Sequence, residues 1–179
     1  DDIIVYKLDD DDYLVVINAS NREKLLQHFE EIKSDLSVKF EDRTTKTAMV
    51  ALQGPKVMEL ISKFSKEIPT LKRYRFVEKN YLVMKLLVSR TGYTGEDGVE
   101  VILPGAMVEM AMKMLLKDVD QSSAQALVKP AGLGARDSLR LEAGMPLYGH
   151  ELGEEIPALA SGLDFAITID KDQMERGEA

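Results

Sequence analysis

Twelve residues, RTGYTGEDGVEV from Arg90 to Val101, carry the densest set of chemically useful side chains in the sequence. Gly92, Gly95 and Gly98 permit left-handed backbone angles and the close approach of another chain or ligand. Tyr93 combines an aromatic face with a hydroxyl that can form hydrogen bonds. The stretch therefore predicts a long hairpin loop, which is either a simple turn or a loop shaped to hold a ligand.

Glu100 differs from the acidic residues at the tip of this loop because it lies between Val99 and Val101 in a strand-like run. In a strand its side chain faces away from both valines, since successive side chains alternate between faces. The pattern alone favours an outward, solvated carboxylate. The alternative is a carboxylate that lines a cleft and accepts two N–H bonds from a flat amino-heterocycle, as carboxylates do from arginine.

A second candidate group is a pair of arginines in the segment GLGARDSLRLEAG. Arg136 and Arg140 are four residues apart, so they share one face of the predicted helix. A surface helix with scattered charges is the commoner arrangement. The alternative is a clamp for a small acidic ligand, because guanidinium groups present rigid donors that match carboxylates.

The composition excludes several classes of function. The chain has 179 residues, of which 45% are hydrophobic and 30% charged, as in ordinary globular proteins. The net charge of −8 argues against a nucleic-acid binder and against docking to an anionic membrane. With two histidines and no cysteine, we expect no metal site, and a reducing compartment such as the cytoplasm is the default.

The elements that must position these residues follow from the apolar patterns. A hairpin is predicted from IIVYKL and YLVVIN, with the four aspartates Asp9–Asp12 as its turn. Further strands are predicted at VKFEDRT, TAMVALQ, YLVMKLLVSR, GVEVILP and FAITI, with LKRYRFVEKN as a connector. Helices are predicted after a capping box at Ser20 and at KVMELISKF, AMVEMAMKMLLKD and GLGARDSLRLEAG. The absence of regular βαβ spacing indicates an α+β fold with antiparallel hairpins.

The two long motifs, RTGYTGEDGVEV and AGLGARDSLRLEAGMPLYGHEL, resemble the T-protein (aminomethyltransferase) family of the glycine cleavage system. The segments DDIIVYKL, YLVVINASN, ALQGP and VSR fit the same family in the same order. The resemblance implies an enzyme of glycine catabolism that uses tetrahydrofolate. It would transfer a one-carbon unit from the aminomethyl-lipoyl arm of its partner, the H-protein, to give 5,10-methylenetetrahydrofolate, ammonia and dihydrolipoyl H-protein.

The resemblance also implies roles for five residues of this sequence. The catalytic aspartate of the family's D-D pair corresponds to Asp2. A residue near the pterin corresponds to Asn18, the residue that holds the pterin corresponds to Glu100, and the folate-binding tyrosine of the loop corresponds to Tyr93. Arg136 corresponds to an arginine on the benzoyl-glutamate side of folate, and a cation suits that acidic tail.

The same resemblance predicts how the chain is divided. We expect residues 1–43 to be part of a small α+β domain, and residues 44–179 to be the main folate-binding domain that runs toward a C-terminal barrel. We also expect the sequence to be an incomplete stretch, without the family's N-terminal segment and that barrel. A location in the cytoplasm, or the mitochondrial matrix in a eukaryote, follows from the family. The alternative function is a tetrahydrofolate-binding module of the same fold without transferase activity.

Overall fold

The computed structural model describes residues 2–117 and 126–167. Its contacts form two compact units, one from the described residues of Asp1–Val38 and Pro146–Ala179, the other from those of Lys39–Met145. The domain boundary predicted after residue 43 stays a prediction. Residues 118–125, the end of FAITI and the tail after it lie outside the described residues. The predicted α+β fold with antiparallel sheets is confirmed.

The first unit begins with the predicted hairpin. Strands β1 (Ile4–Asp9) and β2 (Asp12–Val16) pair antiparallel, with Ile4 opposite Val16. The two faces of this sheet differ, because Tyr6 is buried on one face while Val5 and Val15 form an exposed cross-strand pair on the other. The turn at the far end consists of aspartates, which are exposed as expected.

Helix α1 (Arg22–Ile32) follows a short 3-10 turn over Ala19–Asn21. The predicted capping box at Ser20 is wrong, because Ser20 lies inside this turn and Asn21 occupies the cap position without a side-chain hydrogen bond. The backbone N–H of Asn21 donates instead to the carbonyl of Asn18. The turn thus moves the start of the helix beyond the residue that the pattern selected.

Lys24 joins α1 to the segment that begins at Pro146 in the same unit. Its ammonium donates to the hydroxyl of Tyr148 at 3.1 Å and forms an ion pair with Glu154. The hydrogen bond from Lys24 holds the pKa of the Glu154 carboxyl below its ordinary value. The pKa of Lys24 is raised in turn, mainly by its hydrogen bond to Glu154 and next by that to Tyr148. The strand predicted at FAITI is wrong over its described residues, since Asp164–Ala166 form a 3-10 turn.

The second unit contains a four-stranded antiparallel sheet in the order β3-β6-β5-β4. Its strands are β3 (Thr47–Gln53), β4 (Phe76–Tyr81), β5 (Met84–Ser89) and β6 (Gly98–Pro104). The strand predicted at VKFEDRT is wrong, because this segment is irregular. Strand β4 was missed inside the expected connector, and a tight turn at Leu82 and Val83 divides the run predicted as one strand.

The described part of the second unit also contains the α-helices α2 (Val57–Ser62), α3 (Val108–Leu116) and α4 (Leu133–Glu142). The apolar core lies between α2 and one face of the sheet, where Val57 and Ile61 cluster with Val88 and Val99. The opposite face of β6 therefore carries the remaining alternate residues, Glu100 among them. No helix among the described residues has the length and apolarity needed to cross a bilayer.

Candidate functional site

Glu100 lies in the middle of the sheet, because β6 is flanked by β3 and β5. It is paired with Ala51 on one side and Ser89 on the other. Its side chain faces away from the core residue Val99, as the alternation predicted, but only 7% of Glu100 is exposed. The favoured interpretation as a solvated carboxylate is therefore wrong. A carboxylate in this position needs hydrogen-bonding partners, since burying an unpaired charge is costly.

The partners of Glu100 come from the end of β5. The hydroxyl of Thr91 donates to Glu100 Oε2 at 2.6 Å. Behind it, the hydroxyls of Ser89 and Thr91 lie 2.7 Å apart, and the hydroxyl oxygen of Ser89, a residue that is 1% exposed, lies 3.3 Å from the Glu100 carbonyl oxygen. The result is a short chain of hydroxyls that fixes one oxygen of the carboxylate.

The other oxygen, Glu100 Oε1, accepts no hydrogen bond from the described residues. The carboxylate thus has one oxygen held by the protein and one available to a ligand. This is the alternative that the sequence left open, a strand carboxylate able to receive an N–H donor from outside. The pattern could indicate the face on which Glu100 lies, but not that the face is covered.

Gln53, which no predicted motif includes as a site residue, ties the glycine loop to β3. Its Nε2 donates to the carbonyls of Thr91 and Val99 at 3.2 and 3.1 Å. A Cβ at Gly92 would lie 1.9 Å from Gln53 Oε1, and one at Gly98 would lie 2.3 Å from Gln53 Cδ. A side chain at either glycine would displace the Gln53 amide from these two hydrogen bonds. The signal in the sequence was the glutamine of ALQGP, directly before a strand-breaking Gly-Pro.

Arg90 and Asp97 close the base of the same loop. The Arg90 Nη2 group donates to both carboxylate oxygens of Asp97, at 2.6 and 2.8 Å. Nη1 of Arg90 donates to the carbonyls of Pro69 and Leu71 at 3.2 and 2.9 Å. The Arg90 side chain is only 11% exposed and that of Asp97 is 37% exposed, so the pair is a partly desolvated, bidentate brace. Asp97 is thus structural, whereas its neighbour Glu96 is exposed at the tip.

Tyr93 and Arg136 meet within the second unit. The guanidinium carbon of Arg136 lies 4.9 Å from the centroid of the Tyr93 ring, within the range of a cation–π contact. Gly95 brings the loop against α4, since a Cβ there would lie 2.7 Å from the Cβ of Ala143. Gly95 also has φ +77°, a conformation that favours glycine. The loop and the helix are therefore packed so that an aromatic ring and a cation are presented together.

The two predicted arginines of α4 have different surroundings. Arg140 is 4% exposed, and its Nε donates to Asp137 Oδ1 at 2.8 Å while its Nη1 donates to the Met145 carbonyl at 3.2 Å. Arg136 is exposed and makes no ion pair with the described residues. Arg140 thus secures the end of the helix, and Arg136 alone is available to an acidic ligand.

Asp2 and Asn18 contact each other in the first unit. Asn18 Nδ2 donates to Asp2 Oδ1 at 2.7 Å and lies 3.4 Å from the Asp2 carbonyl. Asp2 is exposed and Asn18 is half-buried at the end of β2. The structure thus brings together two pairs of predicted residues, Asp2 with Asn18 and Tyr93 with Arg136. Among the described residues, no group of three His, Asp or Glu side chains is arranged to hold a metal ion.

Comparison with known proteins gives one consistent family. The family model described as "GCVT N-terminal domain" matches residues 1–171. The aminomethyltransferase of Rubrobacter xylanophilus is 45% identical over 174 residues, which cover 97% of this chain and 44% of that protein. The aminomethyltransferase of Moorella thermoacetica is 39% identical over 180 residues, covering 100% of this chain and 48% of that protein.

A solved structure agrees with these relatives. The glycine cleavage system aminomethyltransferase T from Bartonella henselae superposes with a TM-score of 0.68 and 26% identity, covering 88% of this chain and 44% of that one. The chain thus spans less than half the length of the relatives it matches. The match over nearly all of its own residues shows that this chain belongs to the GCVT N-terminal domain family.

Proposed function

We propose that this chain functions in an aminomethyltransferase of the glycine cleavage system. In this proposal the second unit of the chain binds tetrahydrofolate. The carbon to be moved is bonded to the sulfur of a lipoyl arm and to an amino group. In the transfer both of these bonds break, and the carbon forms new bonds to N5 and N10 of the folate. The two protons released from N5 and N10 balance those gained by the thiol and by ammonia. Support comes from the family and from the named relatives.

The observation that carries the proposal is the carboxylate of Glu100, 7% exposed, with Oε2 held by Thr91. A reduced pterin has an edge of adjacent N–H groups, which a carboxylate can recognise through two parallel hydrogen bonds. Since the other oxygen has no partner among the described residues, Glu100 can accept from such an edge without losing its own support. This arrangement suits a ligand that offers N–H donors, such as a flat amino-heterocycle, and disfavours a phosphate, which carries like charge.

Tyr93 and Arg136 are the proposed contacts for other parts of the same ligand. Tyr93 supplies an aromatic surface for a flat ring system. Arg136 is exposed, and its charge is not neutralised by any described acidic residue. It therefore suits the acidic glutamyl tail of folate, to which a guanidinium can donate two hydrogen bonds.

Asp2 is the proposed proton-handling residue. Its carboxylate accepts a hydrogen bond from Asn18 but is otherwise exposed, so it can exchange a proton with a substrate or with water. N10 of folate is a weakly basic arylamine that must lose its proton as the methylene bridge closes. A carboxylate that orients this nitrogen and takes up its proton is an ordinary general base. Asn18 would hold Asp2 in place through its amide.

The test uses the complete protein that carries this sequence, with aminomethylated lipoyl H-protein and tetrahydrofolate. We expect 5,10-methylenetetrahydrofolate and ammonia to form in equal amounts, together with dihydrolipoyl H-protein. Tetrahydrofolate binding is measured in parallel by calorimetry. Folate binding without turnover would overturn the transferase assignment and leave a folate-binding module, and failure to bind folate would overturn the proposal as a whole.

A further inference from the structure

We propose that Thr91 is a positioning residue for ligand recognition, acting through the carboxylate of Glu100. Its hydroxyl holds one oxygen of that carboxylate and so presents the other to the N–H edge of a pterin. The inference rests on the proposed function, because it deepens the role given to Glu100. It concerns a side chain that neither the loop's composition nor its spacing singled out.

The geometry places Thr91 in a position that no other described side chain shares. The distance from Thr91 Oγ1 to Glu100 Oε2 is 2.6 Å, a length typical of a strong hydrogen bond from a hydroxyl to a carboxylate. No other described residue donates to either oxygen of this carboxylate. Without the Thr91 hydroxyl, Glu100 would be a largely buried carboxylate with no direct support.

The backbone around Thr91 makes the hydroxyl a fixed donor. The carbonyl of Thr91 accepts from Gln53 Nε2 at 3.2 Å, and the preceding residue is Arg90, which is braced by Asp97. The Thr91 hydroxyl also lies 2.7 Å from that of Ser89, which is almost completely buried. As Thr91 donates its single proton to Glu100, its lone pairs remain for the proton of Ser89. Ser89 therefore donates to Thr91, and Thr91 donates to Glu100.

A fixed carboxylate binds a flat ligand more tightly than a mobile one, because its rotamers need not be restricted on binding. The chemical reason for threonine follows from this. Its methyl group and hydroxyl share a Cβ with few allowed rotamers, so the hydroxyl is held in one direction. Serine would keep the donor with somewhat more freedom, whereas valine would keep the shape and remove the donor.

The experiment is a mutant cycle on the complete protein, with the Kd for tetrahydrofolate measured by calorimetry under anaerobic conditions. We expect Thr91→Val to weaken binding about tenfold, the usual scale for losing a hydrogen bond to a charged group. Thr91→Ser should stay within about twofold of the parent, since the donor remains. Thr94→Val is the matched control in the same loop, because its hydroxyl approaches Gln53 Oε1 only at 3.4 Å and does not contact Glu100.

The decisive arm repeats Thr91→Val in a Glu100→Gln background. If Thr91 acts through Glu100, the second change alters the Kd by less than about twofold, because residues that act as a unit are not additive. A full tenfold loss in both backgrounds would overturn the proposal and make Thr91 a residue of general loop structure. So would a Thr91→Val variant that binds as the parent does.

The failure of this inference can be told apart from failure of the proposed function. A parent protein that binds no tetrahydrofolate contradicts the function, whereas a parent that binds and depends on Glu100 but not on Thr91 contradicts the inference alone. Each variant is also checked by its thermal melting temperature. If Thr91→Val does not fold, Thr91→Ala takes its place in the same cycle, because it removes the hydroxyl without adding bulk.

Discussion

Glu100 and Asp2 are both carboxylates near the start of an antiparallel strand, yet the protein surrounds them very differently. Glu100 is in a central strand, 7% exposed, with a threonine hydroxyl on one oxygen. Asp2 precedes an edge strand, is exposed, and has the side-chain amide of Asn18 as its partner. One carboxylate is fixed before a ligand arrives, and the other stays open to solvent.

This difference matches two different tasks. Recognition of a rigid heterocycle benefits from a donor–acceptor pattern that is already in place. Proton transfer requires a group that can reach a reacting atom and exchange its proton afterwards. We therefore expect changes at Glu100 to appear mainly in binding and changes at Asp2 mainly in turnover.

The largest effect is expected for Asp2→Asn in the complete protein. Asparagine keeps the shape and can still contact Asn18, but it cannot take up a proton. We expect kcat to fall about 100-fold or more, the lower range for loss of a general acid or base, with the Kd for tetrahydrofolate within about twofold. Asp11→Asn is the control, since Asp11 is an exposed residue of the hairpin turn. Normal turnover in Asp2→Asn would remove Asp2 from the chemistry.

The next effect is expected for Glu100→Gln, measured by calorimetry with tetrahydrofolate. Loss of the charge that we propose accepts the pterin N–H groups should raise the Kd about 10- to 100-fold, as for hydrogen bonds to charged groups. Glu96→Gln is the matched control, because Glu96 is exposed at the tip of the same loop. Equal Kd values for the two variants would contradict the division of tasks between Glu100 and Asp2.

A third test concerns the packing of the glycine loop against the end of α4. Gly95→Ala places a Cβ 2.7 Å from that of Ala143 and at φ +77°, so loop and helix must separate. We expect the free energy of unfolding to fall by about 1–2 kcal/mol in urea titrations, with weaker folate binding. Gly134→Ala in α4 is the control, since its Cβ would meet nothing within 4 Å. Equal stability of both variants would show that the loop is not braced against α4.

The sequence predicted the hairpin β1–β2, the strands β3 and β6, and the three longer helices, because their apolar runs are regular and bounded by glycine, proline or aspartate. It missed β4 since FVEKNY carries two charges and ends at a turn of Leu82 and Val83, without the usual glycine. The sequence pattern also did not predict that Glu100 is buried. Alternation gives the face of a strand, whereas burial depends on neighbouring strands that are distant in the sequence, such as β3, where Ala51 pairs with Glu100.

The candidate site was predicted in part for the same reason. Glycines, Tyr93 and Glu100 stand out by composition, and the family resemblance assigned their roles. The supports do not stand out, because a glutamine before Gly-Pro or a threonine in a turn is common in any protein. Gln53 and Thr91 can be recognised as supports only in the folded sheet, where β6 pairs with both β3 and β5. There Gln53 donates to the loop backbone and Thr91 donates to Glu100.

The smallest effect is expected for Arg136→Ala, which tests whether this exposed arginine of α4 contributes to folate binding. Exposed ion pairs are worth less than about 1 kcal/mol, so the Kd for tetrahydrofolate should rise only two- to fivefold. The loss should shrink at high salt, because ions screen the guanidinium from the glutamyl carboxylates. A tetrahydropteroate without the glutamyl tail should bind parent and variant alike, and Lys63→Ala, an exposed change on another helix end, should alter neither ligand. If the variant instead weakens both ligands equally, Arg136 acts by holding the Tyr93 ring, which lies 4.9 Å from it, and recognition of the tail must be assigned elsewhere.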